Sequence, residues 1–329
     1  MLYLETGSTD PYYNLAFEDY VLSNKRDENY LILWQNKNTI VIGKNQNPRA
    51  EINYEYLKGK DVKIVRRKTG GGAVYHDLGN LNYSLIVEAD DSENLIFKNF
   101  MKPMLDCLKN LGLKAEISGR NDIVIEGKKV SGTAQRLLKG RLLNHGTLLF
   151  NSNLLEVADA LNVDPKKYKS KGINSVKSRV GNISEFLKEE MTLKEFWLYI
   201  RNYFIENSSQ IIELSNKEKE QIRELADEKY SDWNWNFGSA PKFNIHNKRY
   251  FKMGILEIYA EVEKSRIKNI KFFGDYLALV DDADLRKELE GVKFQEYEVR
   301  KIIEKYDVKS IFGSIEIDQV LDTIFNRTG

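Results

Sequence analysis

Arg66-Arg67-Lys68-Thr69-Gly70-Gly71-Gly72-Ala73-Val74-Tyr75-His76-Asp77-Leu78-Gly79-Asn80 is the stretch on which the reading of this chain turns. Three consecutive glycines let a backbone take positive φ and approach a ligand with no Cβ in the way. Successive N–H groups in such a turn cradle phosphate oxygens, and the two arginines upstream add fixed charge and bidentate donors. Taken alone, the segment also reads as a tight surface turn with solvated arginines. It is not a P-loop: Gly-x-x-x-x-Gly-Lys-Ser/Thr occurs nowhere, and the loop has no Gly-x-Gly-x-x-Gly.

Upstream, residues 61–65 form a short β-rich run that delivers the chain into this loop. Residues 30–34 and 39–43 flank the polar Gln35-Asn36-Lys37-Asn38 and predict a hairpin. Asp10-Pro11 opens a helix that should run to about Asn24. Downstream, Leu81, Tyr83, Leu85 and Val87 alternate with less apolar neighbours, the pattern of a half-buried strand. Cys107 falls on the helical stripe of Phe100, Met104, Leu108 and Leu111, which makes it a core residue.

Three further strands, 122–126, 128–134 and 141–150, are separated by turn signals at Glu126-Gly127 and Lys139-Gly140. Asn121 and Asp122 open the first, and Lys128-Lys129 opens the second. Alternation turns either Lys128 or Lys129 inward, never both. The pair reads either as a charge facing a ligand or as a solvated edge. His145 lies within the third strand and reads as a core histidine or a ligand contact. The basic run from Lys166 to Arg179 is a solvated face or a lid over an anion.

The whole chain narrows the choice. Its 329 residues predict two domains, and we place the boundary so that residues 1–246 are the larger unit and 247–329 the smaller. A net charge of +1 gives no basic excess for a nucleic-acid partner. One cysteine excludes an internal disulfide, and three scattered histidines show no metal-binding spacing. No apolar run is long enough to span a bilayer, so no membrane partner is expected and the default compartment is cytoplasmic.

Taken together, these segments resemble the lipoate–protein ligase family. The run from Arg66 to Asn80 is similar to its twin-arginine, triple-glycine signature. Gly119-Arg120-Asn121-Asp122 and Lys129-Val130-Ser131-Gly132-Thr133-Ala134 resemble its second and third signatures. Asn144-His145-Gly146-Thr147, Lys171-Gly172-Ile173-Asn174-Ser175-Val176-Lys177 and Trp235-Asn236-Phe237-Gly238 follow in the family's order. Thr69 stands where relatives often have Ser.

The resemblance implies an α+β fold: a large biotin/lipoate-ligase-like domain with mixed sheets and flanking helices, then a small α+β carboxy-terminal domain. It implies ATP with Mg²⁺, lipoate as substrate, a lipoyl-AMP intermediate and no permanently bound cofactor. The acceptors it implies are lipoyl domains of 2-oxoacid dehydrogenase complexes or glycine-cleavage H protein. Arg67, Gly72, Ala73, Val74, Tyr75 and Lys129 match the family's ATP-contacting positions, and Asn121 and Asp122 are expected beside them. Lys129 also matches the lysine that holds lipoate, with Trp34, His76 and His145 expected on the lipoate side; metal ligands are not identifiable.

The residue types suit that chemistry. A carboxylate attacking an α-phosphate needs no general base, only cations that bring two anions together. One rival reading is an octanoyltransferase of the same fold working through an acyl-cysteine, but it needs a reactive thiolate at the site. Another is a non-catalytic lipoate- or nucleotide-binding protein, which would have lost Lys129 or the glycines.

Overall fold

The computed structural model describes residues 1–89, 97–161, 179–205, 210–237, 244–252 and 254–326. Its larger part is built on two sheets. The strands are β1 (Leu2–Glu5), β2 (Tyr30–Trp34), β3 (Thr39–Ile42), β4 (Lys63–Arg66), β5 (Val74–His76), β6 (Asn80–Glu88), β7 (Ala115–Ser118), β8 (Asp122–Ile125), β9 (Lys128–Leu138) and β10 (Arg141–Leu149). Seven of them form one mixed sheet in the order β1-β2-β6-β10-β9-β8-β7, and the other three form a second sheet, β4-β3-β5. Glu126-Gly127 and Lys139-Gly140 all have positive φ, the geometry of two-residue hairpin turns.

The sheet's two faces are read directly from β6. Leu81, Tyr83 and Leu85 point into an apolar core with Leu31, Leu33, Met104, Leu108, Phe196 and Ile200. That core lies under the helices Phe97–Asn110 and Leu193–Phe204. Thr192 and Glu195 close the second helix's start as a capping box. Helix Pro11–Asn24 packs Leu15, Phe17 and Val21 with Ile32, Trp34 and Leu143 in a second core. Cys107 is fully buried in the first core.

Two expectations need correction. Residues 30–34 and 39–42 are strands but not a hairpin, because β2 pairs with β1 and β6 while β3 pairs with β4 and β5. Both strands are buried along their whole length, so each fits the interior of its own sheet rather than a solvated ribbon. The intervening Gln35 is anchored by donating to the Leu78 carbonyl at 2.8 Å. Likewise β6 is buried on both faces over most of its length, because its polar residues meet the interior of the fold instead of water.

Residues 245–325 form a separate small layer: the antiparallel sheet β11 (Ile245–Phe251), β12 (Gly254–Glu263) and β13 (Arg266–Gly274), followed by four short helices. Its own core gathers Leu256, Ile258, Ile270, Leu285, Ile303 and Leu321. Position 246 lies within β11. This layer leans on the glycine loop: Gly71 N–H donates to the Tyr276 carbonyl at 3.2 Å, and Gly274 N–H to the Asn45 carbonyl at 2.6 Å. Lys44 and Asp281 form an ion pair across the same junction. The α+β architecture expected from the sequence is the one observed. Residues 166–178 of the basic run lie outside the described residues.

Candidate active site

A cavity opens between the second face of the large sheet and the small sheet β4-β3-β5. Of the expected lipoate contacts, Trp34, His76, His145 and Lys129 all stand on its wall. Arg67, Gly72, Ala73, Val74 and Asn121 of the expected ATP set line it too. Tyr75 and Asp122 do not. Period-two alternation in β5 turns Val74 and His76 to the cavity and Tyr75 away, into a cluster with Ile40, Ile42 and Ile52.

Lys129 is aimed by a bulge. Ile123 pairs with Ser131 and Val124 with Lys129, so Val130 is the extra residue that re-aims the strand start. Lys129 Nζ then lies 2.7 Å from Asp122 Oδ1, whereas Lys128 pairs with exposed Glu185 at 3.3 Å. Gly132 allows the lysine to lie close over the strand: a Cβ there would meet Lys129 Nζ at 3.0 Å and Cε at 3.1 Å. Asn121 is held by donating from Nδ2 to the Thr133 carbonyl at 2.7 Å.

The twin arginines act through the backbone. Arg67 donates from Nη1 to the Val41 carbonyl, from Nη2 to the Gly70 and Gly72 carbonyls, and from Nε to Thr69 Oγ1 and the Gly70 carbonyl. It thereby fixes the glycine loop from beneath. A trans peptide holds its N–H opposite its C=O, so seating the Gly72 carbonyl on Arg67 turns the Ala73 N–H away from the guanidinium. Burial pushes the Arg67 guanidinium down to about 10, which leaves it cationic at neutral pH. Arg66 instead donates to the carbonyls of Gly43, Lys44, Gln46, Trp235 and Asn236, tying the helix Trp233–Phe237 to the loop after β3.

Behind the cavity runs a buried polar chain that the motifs did not reveal. Trp34 Nε1 donates to Ser84 Oγ at 2.9 Å, and Ser84 donates to Glu18 Oε2 at 2.6 Å. His145 Nδ1 donates to the same carboxylate at 2.8 Å, and the Thr69 hydroxyl lies 2.7 Å from His145 Nε2. Two signals for this chain existed. Asn14 and Glu18 stand four apart on one face of the helix Pro11–Asn24, among Leu15, Phe17 and Val21, and Asn80, Asn82 and Ser84 recur with period two along β6.

Comparison with known proteins gives this arrangement its class. The chain matches the family model described as "Lipoyl protein ligase A/B catalytic domain" over residues 10–205. A second model, "Bacterial lipoate protein ligase C-terminus", matches residues 240–324. The lipoate-protein ligase LplJ of Bacillus subtilis is 40% identical, with 99% of this chain and 100% of that one covered. Among solved structures, P. falciparum LipL1 in complex with lipoate superposes with a TM-score of 0.81 at 26% identity, covering 99% of each chain. A lipoate-protein ligase A bound with ATP superposes with a TM-score of 0.60 at 29% identity, covering 72% of this chain and 97% of that one. The chain belongs to the lipoate–protein ligase family.

Proposed function

We propose that this chain activates lipoate with ATP and transfers the lipoyl group to a lysine of an acceptor protein. The observation that carries the reading is Lys129, held on the cavity wall beside an arginine-braced glycine loop in a member of this family. In the first half-reaction a lipoate carboxylate oxygen attacks the α-phosphorus, the bond to the β-phosphate breaks, and pyrophosphate leaves. Lys129 exchanges Asp122 for the two anions and neutralises the charge that develops between them. Gly72 is uncrowded, with nothing within 4 Å of a Cβ built on it, so phosphate oxygens can approach its backbone closely. In the second half-reaction the acceptor's amine attacks the acyl carbon, the bond to AMP breaks, and the amine nitrogen loses a proton.

Mg²⁺ fits as an ion carried by the ATP phosphates. Among the described residues no cluster of three or more His, Cys, Asp or Glu could cage a metal, and such an ion commonly keeps one or two protein carboxylates and several waters. Asp122 is the carboxylate beside Lys129 that could take that part. We assign residues 1–246 to catalysis and 247–329 to an accessory role, and lipoyl domains of 2-oxoacid dehydrogenase complexes or H protein as acceptors. No helix among the described residues is long and apolar enough to cross a membrane, and we assign the protein to the cytoplasm. The test is intact mass of a purified lipoyl domain after incubation with lipoate, ATP and Mg²⁺. A one-lipoyl gain with release of AMP is expected; no gain, or a gain without ATP, would refute the reading.

A further inference from the structure

One buried donor in the cavity has its direction settled by a chain of amides. Asn14 Nδ2 is surrounded by oxygens: the Ser8 carbonyl at 3.1 Å, the Gln35 carbonyl at 2.7 Å and Asn36 Oδ1 at 2.9 Å. Only a nitrogen satisfies that environment, so the Asn14 amide has one orientation. Asn36 must then present its oxygen to Asn14 and its Nδ2 to His76 Nδ1, 3.2 Å away. His76 Nδ1 therefore accepts, and the ring proton is on Nε2. That Nε2 is buried without a hydrogen-bond partner among the described residues.

The ring stays neutral. Burial, with the Arg67 charge as a smaller cause, pushes His76 down to about 3. Its place in the cavity is also defined. His76 packs edge-on to Trp34 with centroids 6.3 Å apart, and Trp34 belongs to β2. Lys129 is on β9, three strands along the sheet from β2. At a usual spacing that separation is roughly 14 Å, the span of an extended lipoate with a contact at each end. Lys129 and the Trp34–His76 pair therefore line the same cavity from strands three apart, so a carboxylate held at Lys129 points the far end of the molecule toward His76.

We propose that His76 reads the dithiolane ring, its Nε2–H donating to a ring sulfur that a saturated acid lacks. This rests on the lipoate reading above. The donor has no partner before a ligand arrives, and a ring sulfur brought against it, although a weak acceptor, supplies one. A hydrocarbon end leaves the donor buried and unpaired, which counts against that ligand. The cavity therefore favours lipoate over octanoate through this donor.

The experiment measures pyrophosphate release with lipoate, octanoate and 5-cyclopentylpentanoate, the last keeping the ring shape with carbon in place of sulfur. For the wild-type protein, kcat/KM should favour lipoate over the cyclopentyl acid by about tenfold, a modest ratio because sulfur accepts weakly. His76→Leu should bring the two together, chiefly by weakening the use of lipoate, and His76→Gln, which keeps a donor, should retain part of the preference. Equal use of lipoate and the cyclopentyl acid by the wild type overturns the proposal, with no variant needed. An undiminished preference in folded His76→Leu overturns it as well. Failure of the wild type to release pyrophosphate with any of the three acids refutes the lipoate reading itself, and this inference with it.

Discussion

The end of the cavity that we assign to the acyl chain is held by side chains of one sheet sandwich, whereas the glycine-loop end is held partly by main-chain contacts from the small layer. At the first end Trp34, Ser84, Glu18, His145 and Thr69 hydrogen-bond in sequence without leaving the larger unit. At the second, Gly71 N–H is taken by the Tyr276 carbonyl, and Leu137 N–H reaches the Leu279 carbonyl at 2.9 Å. The difference separates two jobs. The acyl end is complete before any ligand arrives, which suits discrimination. The loop end is shared between two units, so displacing the small layer changes what the loop can bind. A rearrangement between half-reactions is a common way to close a site for adenylation and reopen it to a protein.

Lys129→Ala attacks the point where the two ends meet and should have the largest effect. Pyrophosphate release with lipoate should fall by about 10²–10³ while the fold is retained. Lys128→Ala, which removes only an exposed pair with Glu185, should stay near wild type. Inactivity of Lys128→Ala instead would reverse the assignment.

A pH series probes the acyl end alone. Folded His76 titrates at about 3 against 6.5 for an ordinary histidine, so between those values the unfolded chain holds the extra proton. The stability this neutral ring contributes is whole above pH 6.5 and is lost as pH falls toward 3. Lowering pH from 6.5 to 5 should cost the wild type about 2 kcal/mol through this group, and urea midpoints of His76→Leu should fall less over the same range. Identical pH dependence would mean that His76 is not held neutral.

Cys107→Ser separates packing from chemistry. Burial pushes the thiol up to about 12, the opposite of an activated nucleophile. The variant should lose on the order of 1–3 kcal/mol of stability and keep both half-reactions. A folded variant without acyl transfer would restore the cysteine-dependent route.

Gly70→Ala sharpens the comparison at the other end with the mildest change. A Cβ there would meet the Tyr276 carbonyl oxygen at 2.7 Å and the Ala278 nitrogen at 2.9 Å. Loosened docking should speed hydrogen exchange at the Gly71 amide about tenfold, with lipoate affinity unchanged. Unchanged exchange would show that the small layer does not hold the loop.

Much of this was legible from residue types. The glycine run and the alternation at Lys128-Lys129 need only local geometry, and β9 indeed turns the two lysines to different partners. What escaped depends on tertiary context. Asn82 and Ser84 alternate with leucine and tyrosine as a solvated face would, yet Asn82 is buried on the cavity wall and Ser84 behind it, bonded to Glu18. Arg67 carries the charge of a phosphate contact, but its donors are engaged with its own loop and the Val41 carbonyl, a role only the folded backbone reveals. Gln35-Asn36-Lys37-Asn38 has turn composition, but the chain uses it to change sheets. Asn14 and Glu18 are polar positions whose value appears only when helix Pro11–Asn24 packs behind the cavity.

The most direct test of the account is a single-turnover mixture of wild-type protein, lipoate, ATP and Mg²⁺ with no acceptor, separated under denaturing conditions. Lipoyl-AMP should be recovered in the small-molecule fraction with one pyrophosphate for each adenylate, and the intact mass of the protein should be unchanged. An acyl group covalently attached to the chain, or ADP and phosphate in place of lipoyl-AMP and pyrophosphate, would contradict it.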